Sequence, residues 1–259
     1  MKEKRHIVSK YSLVLVMFVL LFTTNISSAL AAKNSYALGS RYAEGQNMND
    51  EIKEAEKVCN RIIYDSGQMG FTSYDWYGSS STKSNILLAA SGDVARNAIS
   101  FYVGHGSDES YYIWADDGTE VWFNEVYRVT GNQITKFAFL WSCNQAEVKI
   151  HMPMGWLHTT SESDDGYHNP DCGKLTFISF KAGAPFLNKT ISGVQKAGAK
   201  FVNITYDALA SGSDVYVNEA LDIASFNLWG VVWDQCQLYT DYSMWVYGDG
   251  YLSVCGLQG

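Results

Sequence analysis

The chain predicts an α/β fold in three layers, α/β/α, around a mostly parallel central sheet. Two runs, residues 98–103 and 137–141, are almost wholly apolar or small, as strands covered on both faces are. The N-terminal half alternates strand-like runs with segments whose apolar residues recur at helical spacing. Its order is therefore β-α-β-α-β, the order that parallel pairing needs. No internal repeat or low-complexity linker breaks the pattern, so residues 32–259 read as a single domain behind a leader.

Residues 36–39 read as the first strand. Asn49 and Asp50 cap a helix expected to reach about residue 64, with Ile52, Ala55, Cys59, Ile62 and Ile63 on its apolar face. Gly67 and Gly70 close it. A strand over 71–77, a Gly/Ser loop and a helix from Thr82 through residue 90 follow. After the buried strand 98–103, residues 111–123 read as a hairpin turning at Asp117-Gly118. A short helix over 124–129 precedes the second buried strand, 137–141. All three prolines fall between residues 152 and 185, a stretch expected to be loop around one strand at 175–180. Helices are expected at 193–209 and 215–228, and a closing hairpin at 242–254 around Gly248-Asp249-Gly250.

The first residues read as an export leader. Lys2, Lys4, Arg5 and Lys10 precede an apolar run from Leu13 to Phe22, and Ala29-Leu30-Ala31 fits a cleavage site. The folded part is thus expected to be secreted or extracytoplasmic. An uncleaved leader would instead be a membrane tether, because residues 11–32 carry no charge. The whole chain has 27 acidic and 19 basic side chains, a formal charge of −8, and loss of the basic leader brings it to about −11. That balance excludes nucleic acid as a partner, since phosphate backbones call for clustered Lys and Arg. The aromatic and apolar content excludes a disordered chain. His151, His158, His168 and Cys172 fit no zinc spacing, so no metal and no cofactor are expected. Five cysteines is an odd number for an exported chain, whose cysteines tend to pair. One is left as a free thiol, and Cys236 with Cys255 is the first pair to test.

The chemistry lies at two strand ends. Strand 98–103 runs through Gly104 into His105-Gly106, and strand 137–141 runs through Ser142 into Cys143. In a parallel sheet both ends fall on the carboxyl edge, where open α/β sheets carry their sites. Neighbouring strands would bring an imidazole and a thiol together there. A thiolate is the nucleophile, and the imidazole takes its proton and later gives one to a leaving amine. His105 and Cys143 are therefore the candidate catalytic pair. The N–H groups of Gly106 and Cys143 are the candidate oxyanion donors, the latter opening a helix suggested by Asn144-Gln-Ala-Glu. Glycines flanking His105 would let the backbone approach a substrate. Trp141, Ser142 and Asp108 are placed to line a substrate pocket, while Asp108, Glu109, Asp116, Asp117 and Glu147 read as a solvated acidic rim. Trp114, Trp122, Trp141 and Trp156 read mainly as core and hairpin aromatics.

Phe101-Tyr-Val-Gly-His-Gly-Ser107, followed by Phe137-Ala-Phe-Leu-Trp-Ser-Cys-Asn-Gln-Ala146, resembles the caspase-like cysteine peptidases, the clan of caspases, legumains, gingipains, clostripain and separase. The blocks look most like those of its gingipain-like and bacterial caspase-like branches. The helical stretch around Ala208–Gly212 and Val217–Ala224 is similar as well. The resemblance implies a caspase-like fold and a His105/Cys143 dyad that needs no third catalytic residue. It also implies oxyanion donors at Gly106 and Cys143, and a peptide or protein substrate cleaved through an acyl-enzyme. Members of the clan that prefer a basic P1 side chain carry Asp two residues before the cysteine. Here that place holds Trp141, so that pocket is absent and the indole lines or blocks a subsite. Competing readings are a transpeptidase using the same acyl-enzyme and an inactive caspase-like binding module at the cell surface.

Overall fold

The computed structural model describes residues 33–41, 49–92, 97–131, 135–158, 175–212 and 214–254. The leader, His168, Cys172 and Cys255 lie outside them. The elements run β1 (Lys33–Gly39), α1 (Asn49–Gln68), β2 (Thr72–Tyr77), α2 (Lys83–Ser91), β3 (Asn97–Val103), β4 (Tyr112–Trp114), β5 (Glu120–Trp122), α3 (Phe123–Val129) and β6 (Thr135–Trp141). They continue with α4 (Met152–Leu157), β7 (Thr176–Phe180), α5 (Ala197–Ser211), α6 (Val217–Trp229), α7 (Gln237–Thr240) and β8 (Met244–Gly248). No described helix is long and apolar enough to cross a membrane.

Six strands form one sheet in the order β2-β1-β3-β6-β7-β8. Every pairing is parallel except β7 with β8. The side-chain period of two divides each central strand between two cores. Ile99, Phe101 and Val103 of β3 join Phe137, Phe139 and Trp141 of β6 in a core with α1, α5 and α6. Ala98 and Tyr102 join Ala138 and Leu140 in a second core with α2, α3 and α4. Helices cover both faces, so the three-layer α/β/α class expected from the sequence is the class observed.

Local chemistry sets most boundaries. Ala55, Val58, Cys59 and Ile62 are the buried stripe of α1, and Asp50 and Glu51 complement the dipole of its first turn. The helix runs past the expected residue 64 because Asp65 and Ser66 are also buried, with Ser66 Oγ accepting from Ser35 Oγ at 2.8 Å. Thr82 caps α2 by accepting the Asn85 N–H at 3.3 Å. The β4–β5 hairpin turns at Gly118, whose φ of 79° suits glycine.

Four expectations are corrected. The stretch expected to be loop contains α4, because Pro153 stands in its first turn, where a missing N–H costs nothing. Asn144-Gln-Ala-Glu is a turn and not a helix: Asn144 has a φ of 58°, and its N–H donates to Ala182 O at 2.9 Å. Helix α5 begins at Ala197 and not near residue 193, because Ile191 and Val194 close a tight turn on each other first. The closing hairpin does not form. β8 completes the main sheet on the free edge of β7, and the chain beyond it bridges Ser253 to Tyr216.

Candidate active site

β3 and β6 are adjacent, parallel and in register, with Val103 opposite Trp141. The Gly104 N–H donates to Trp141 O at 3.2 Å, which extends the pairing one residue further. His105 and Cys143 therefore each lie two residues beyond the same rung of the ladder. Both line one open cleft, walled by Trp141, by Ile52 and Ala55 of α1, by Tyr77, and by the segment Ala184, Pro185, Phe186. His105 is exposed at its mouth and Cys143 is half-buried.

The loop carrying His105 is fixed from below. The Tyr102 hydroxyl, fully buried, donates to Trp114 O at 2.7 Å and lies 3.1 Å from His105 O. Burial holds that phenol far above its ordinary range, so it stays a donor. Beyond His105, Gly106 pairs with Ile113 of the hairpin. The hydrogen bonds of that bridge run from Trp114 N–H to His105 O and from Ser107 N–H to Tyr112 O. The Gly106 N–H is not used by the bridge. The flanking glycines have a packing reason that the sequence did not suggest. A Cβ on Gly106 would lie 2.5 Å from Cys143 O, and one on Gly104 would lie 2.4 Å from the Tyr102 hydroxyl.

The turn carrying Cys143 is held against the His105 loop by polar contacts absent from the sequence reading. Gln145 is fully buried, and its Nε2 donates to Ser107 O at 3.1 Å and Cys143 O at 3.0 Å. Asn144 Nδ2 donates to Asp108 Oδ1 at 2.8 Å, and the Glu109 N–H donates to Glu147 Oε2 at 3.0 Å. Ser110 Oγ donates to Asn144 O and accepts the Val148 N–H at 3.1 Å. Two members of the expected acidic rim, Asp108 and Glu147, are thus ties between the loops. A third, Asp116, forms a bidentate pair with Arg41 in the cleft wall.

Burial pushes the Cys143 thiol up from its ordinary value. Hydrogen bonding from the Ala184 N–H and from its own N–H pulls it back, and the negative charge of Asp108 adds to the rise. Trp141 lines the cleft, with its indole nitrogen donating to Pro185 O at 2.7 Å and its ring edge-on to Phe180. Ser142 is buried with an unpartnered hydroxyl, and Asp108 points at Asn144; neither belongs to the cleft lining. Trp156 is core, whereas Trp114 and Trp122 sit on the hairpin. The remaining described cysteines, Cys59 and Cys236, are buried thiols. Among the described residues no three His, Cys, Asp or Glu side chains converge on a metal-sized point.

No family model and no curated protein matches this chain. Among solved structures, the crystal structure of caspase-1 from Spodoptera frugiperda is similar over 76% of this chain and 75% of that one. The identity is 11% and the TM-score 0.39. A likeness at that level carries no weight for the site, whose reading stands on the chain's own geometry.

Proposed function

We propose that the protein is an exported cysteine endopeptidase that cleaves peptide bonds through His105 and Cys143. The observation that carries this reading is the register of β3 on β6, which sets both residues two positions past one rung and on one cleft. A thiol raised by burial is mainly protonated at neutral pH, so the imidazole has to remove its proton as the sulfur attacks the substrate carbonyl. The oxyanion formed is met by the N–H groups of Gly106 and Cys143. The protonated His105 then donates to the departing amine, leaving an acyl-enzyme. Water, deprotonated by the same imidazole, releases the acid and restores the thiol. The resemblance of the two sequence blocks to caspase-like peptidases points the same way.

Digestion of a peptide library by the wild type and by Cys143→Ala, followed by mass spectrometry, tests the reading. Cleavage by the wild type alone is expected, and the fragments give the P1 preference. Cleavage by the variant at the wild-type rate, or by neither protein, would overturn it.

A further inference from the structure

Gln145 makes contacts that bear on both halves of the dyad just proposed, and the inference rests on that reading. Its single NH2 group has two hydrogens, and Ser107 O and Cys143 O take one each, at 3.1 and 3.0 Å. Ser107 belongs to the His105 loop and is itself fixed. Its N–H donates to Tyr112 O and its hydroxyl accepts the Tyr112 N–H, both at 2.9 Å. The Cys143 carbonyl is one end of a peptide whose other end, the Asn144 N–H, donates to Ala182 O at 2.9 Å. Gln145 thus completes a clamp on the peptide just after the nucleophile and ties it to the loop of the base.

The surroundings leave no slack. A Cβ on Gly106 would lie 2.3 Å from Gln145 Nε2 and 2.6 Å from Ser142 Oγ. Gln145 Oε1 and Ser142 Oγ are both buried without a hydrogen-bond partner. Orphaned buried oxygens are a cost that an apolar side chain of the same length avoids. What Gln145 supplies, and such a side chain would not, is the NH2 group. We propose that Gln145 is a positioning residue: its amide sets the spacing and orientation of the His105 and Cys143 loops, and through them the transfer of the thiol proton to the imidazole.

The test uses the full chain and two variants of matched length. Gln145→Met has no donor, and Gln145→Glu donates only when its carboxyl is protonated. Alkylation of Cys143 by iodoacetamide is followed by peptide mapping across pH, with His105→Ala as the baseline and melting temperature as a check on folding. Gln145→Met is expected to lower the His105-dependent labelling of order ten-fold or more, toward that baseline. For Gln145→Glu the deficit relative to wild type shrinks as pH falls, a readout that lost packing alone does not produce. If Gln145→Met fails to fold, the pH-dependent deficit of Gln145→Glu decides. Wild-type labelling rates and pH profile in the folded variants overturn the proposal. Peptide cleavage separates this outcome from the fate of the peptidase reading. A wild type that cleaves nothing yet labels in a Gln145-dependent way removes the peptidase and keeps the clamp. Variants that cleave at the wild-type kcat remove the clamp and keep the peptidase.

Discussion

The sulfur of Cys143 sits under opposing influences, and their order matters for chemistry. Loss of hydration outweighs the two N–H groups that favour the thiolate, so the group titrates above its ordinary 9.0. A free, solvated cysteine would be more acidic than this one. On the proposed reading His105 is then needed as a base at the moment of attack, and without it the thiol should behave as an inert one until high pH. In His105→Ala, alkylation of Cys143 by iodoacetamide should rise about ten-fold per pH unit and level off only above pH 9. The urea-unfolded variant should level off lower. A plateau below pH 8 in the folded variant would mean that the backbone donors alone make a thiolate, and His105 would lose its role as base. At this scale the sequence is informative where a residue type is rare and its place is telling, as with a thiol and an imidazole at strand ends. It is silent about Gln145, because glutamine carries no chemical signature and its importance comes entirely from what the fold sets beside it.

Elements turn those strand ends into a cleft. β3 and β6 are legible from sequence because strands covered on both faces are apolar without alternation. α4 is not, because its proline reads as a breaker unless it is known to stand in a first turn. The place of β8 is hidden too, since its partner lies some seventy residues upstream and only the assembled sheet offers that edge. The wall formed by Ala184, Pro185 and Phe186 belongs to a segment, residues 182–188, with no regular structure of its own, and it is held from outside. Glu51, in the first turn of α1, accepts the Leu187 N–H at 2.7 Å and the Asn188 N–H at 3.0 Å. Burial raises its pKa in spite of these two donors. Hydrogen bonds to a charged group contribute about 1.5–3 kcal/mol each. Glu51→Ala should therefore speed hydrogen exchange at Leu187 and Asn188 about ten-fold or more while leaving β3 and β6 protected. It should also raise KM for peptide substrates more than it lowers kcat. Unchanged protection at the two amides would show that the wall stands without α1.

At the scale of the whole molecule, the six-stranded sheet and its two cores leave little room for charge; among the described residues Glu54 and Asp65 of α1 are the buried acidic side chains, and Asp65 lies where α1 meets α5. Asp65 is buried on α1, bonded to Arg61 Nε at 3.0 Å, and Arg61 also pairs with Asp207 of α5. One guanidinium thus serves two carboxylates. Desolvation, followed by the repulsion of Asp207, raises Asp65 from 3.8 to about 6, and Arg61 offsets this only in part. The sign for stability follows from which state gives up its proton first. As pH climbs from about 4 to about 6 the unfolded chain releases the Asp65 proton while the folded chain keeps it. The share of stability due to this group is complete at low pH and is lost as pH passes the folded value. Asp65→Asn keeps an acceptor for Arg61 and removes the ionisation. Its melting temperature relative to wild type should rise steadily from pH 4 to pH 7, with most of the change between pH 4 and pH 6. Carboxylates remote from Arg61 titrate in the same range, but they are common to both proteins and cancel in the difference; Asp207, which shares Arg61 with Asp65, is replaced by Asn in both proteins as a control. A difference that stays flat, or turns against the variant as pH rises, would mean that Asp65 is ionised in the fold. Its pairing with Arg61 would then be a net support of the α1–α5 contact.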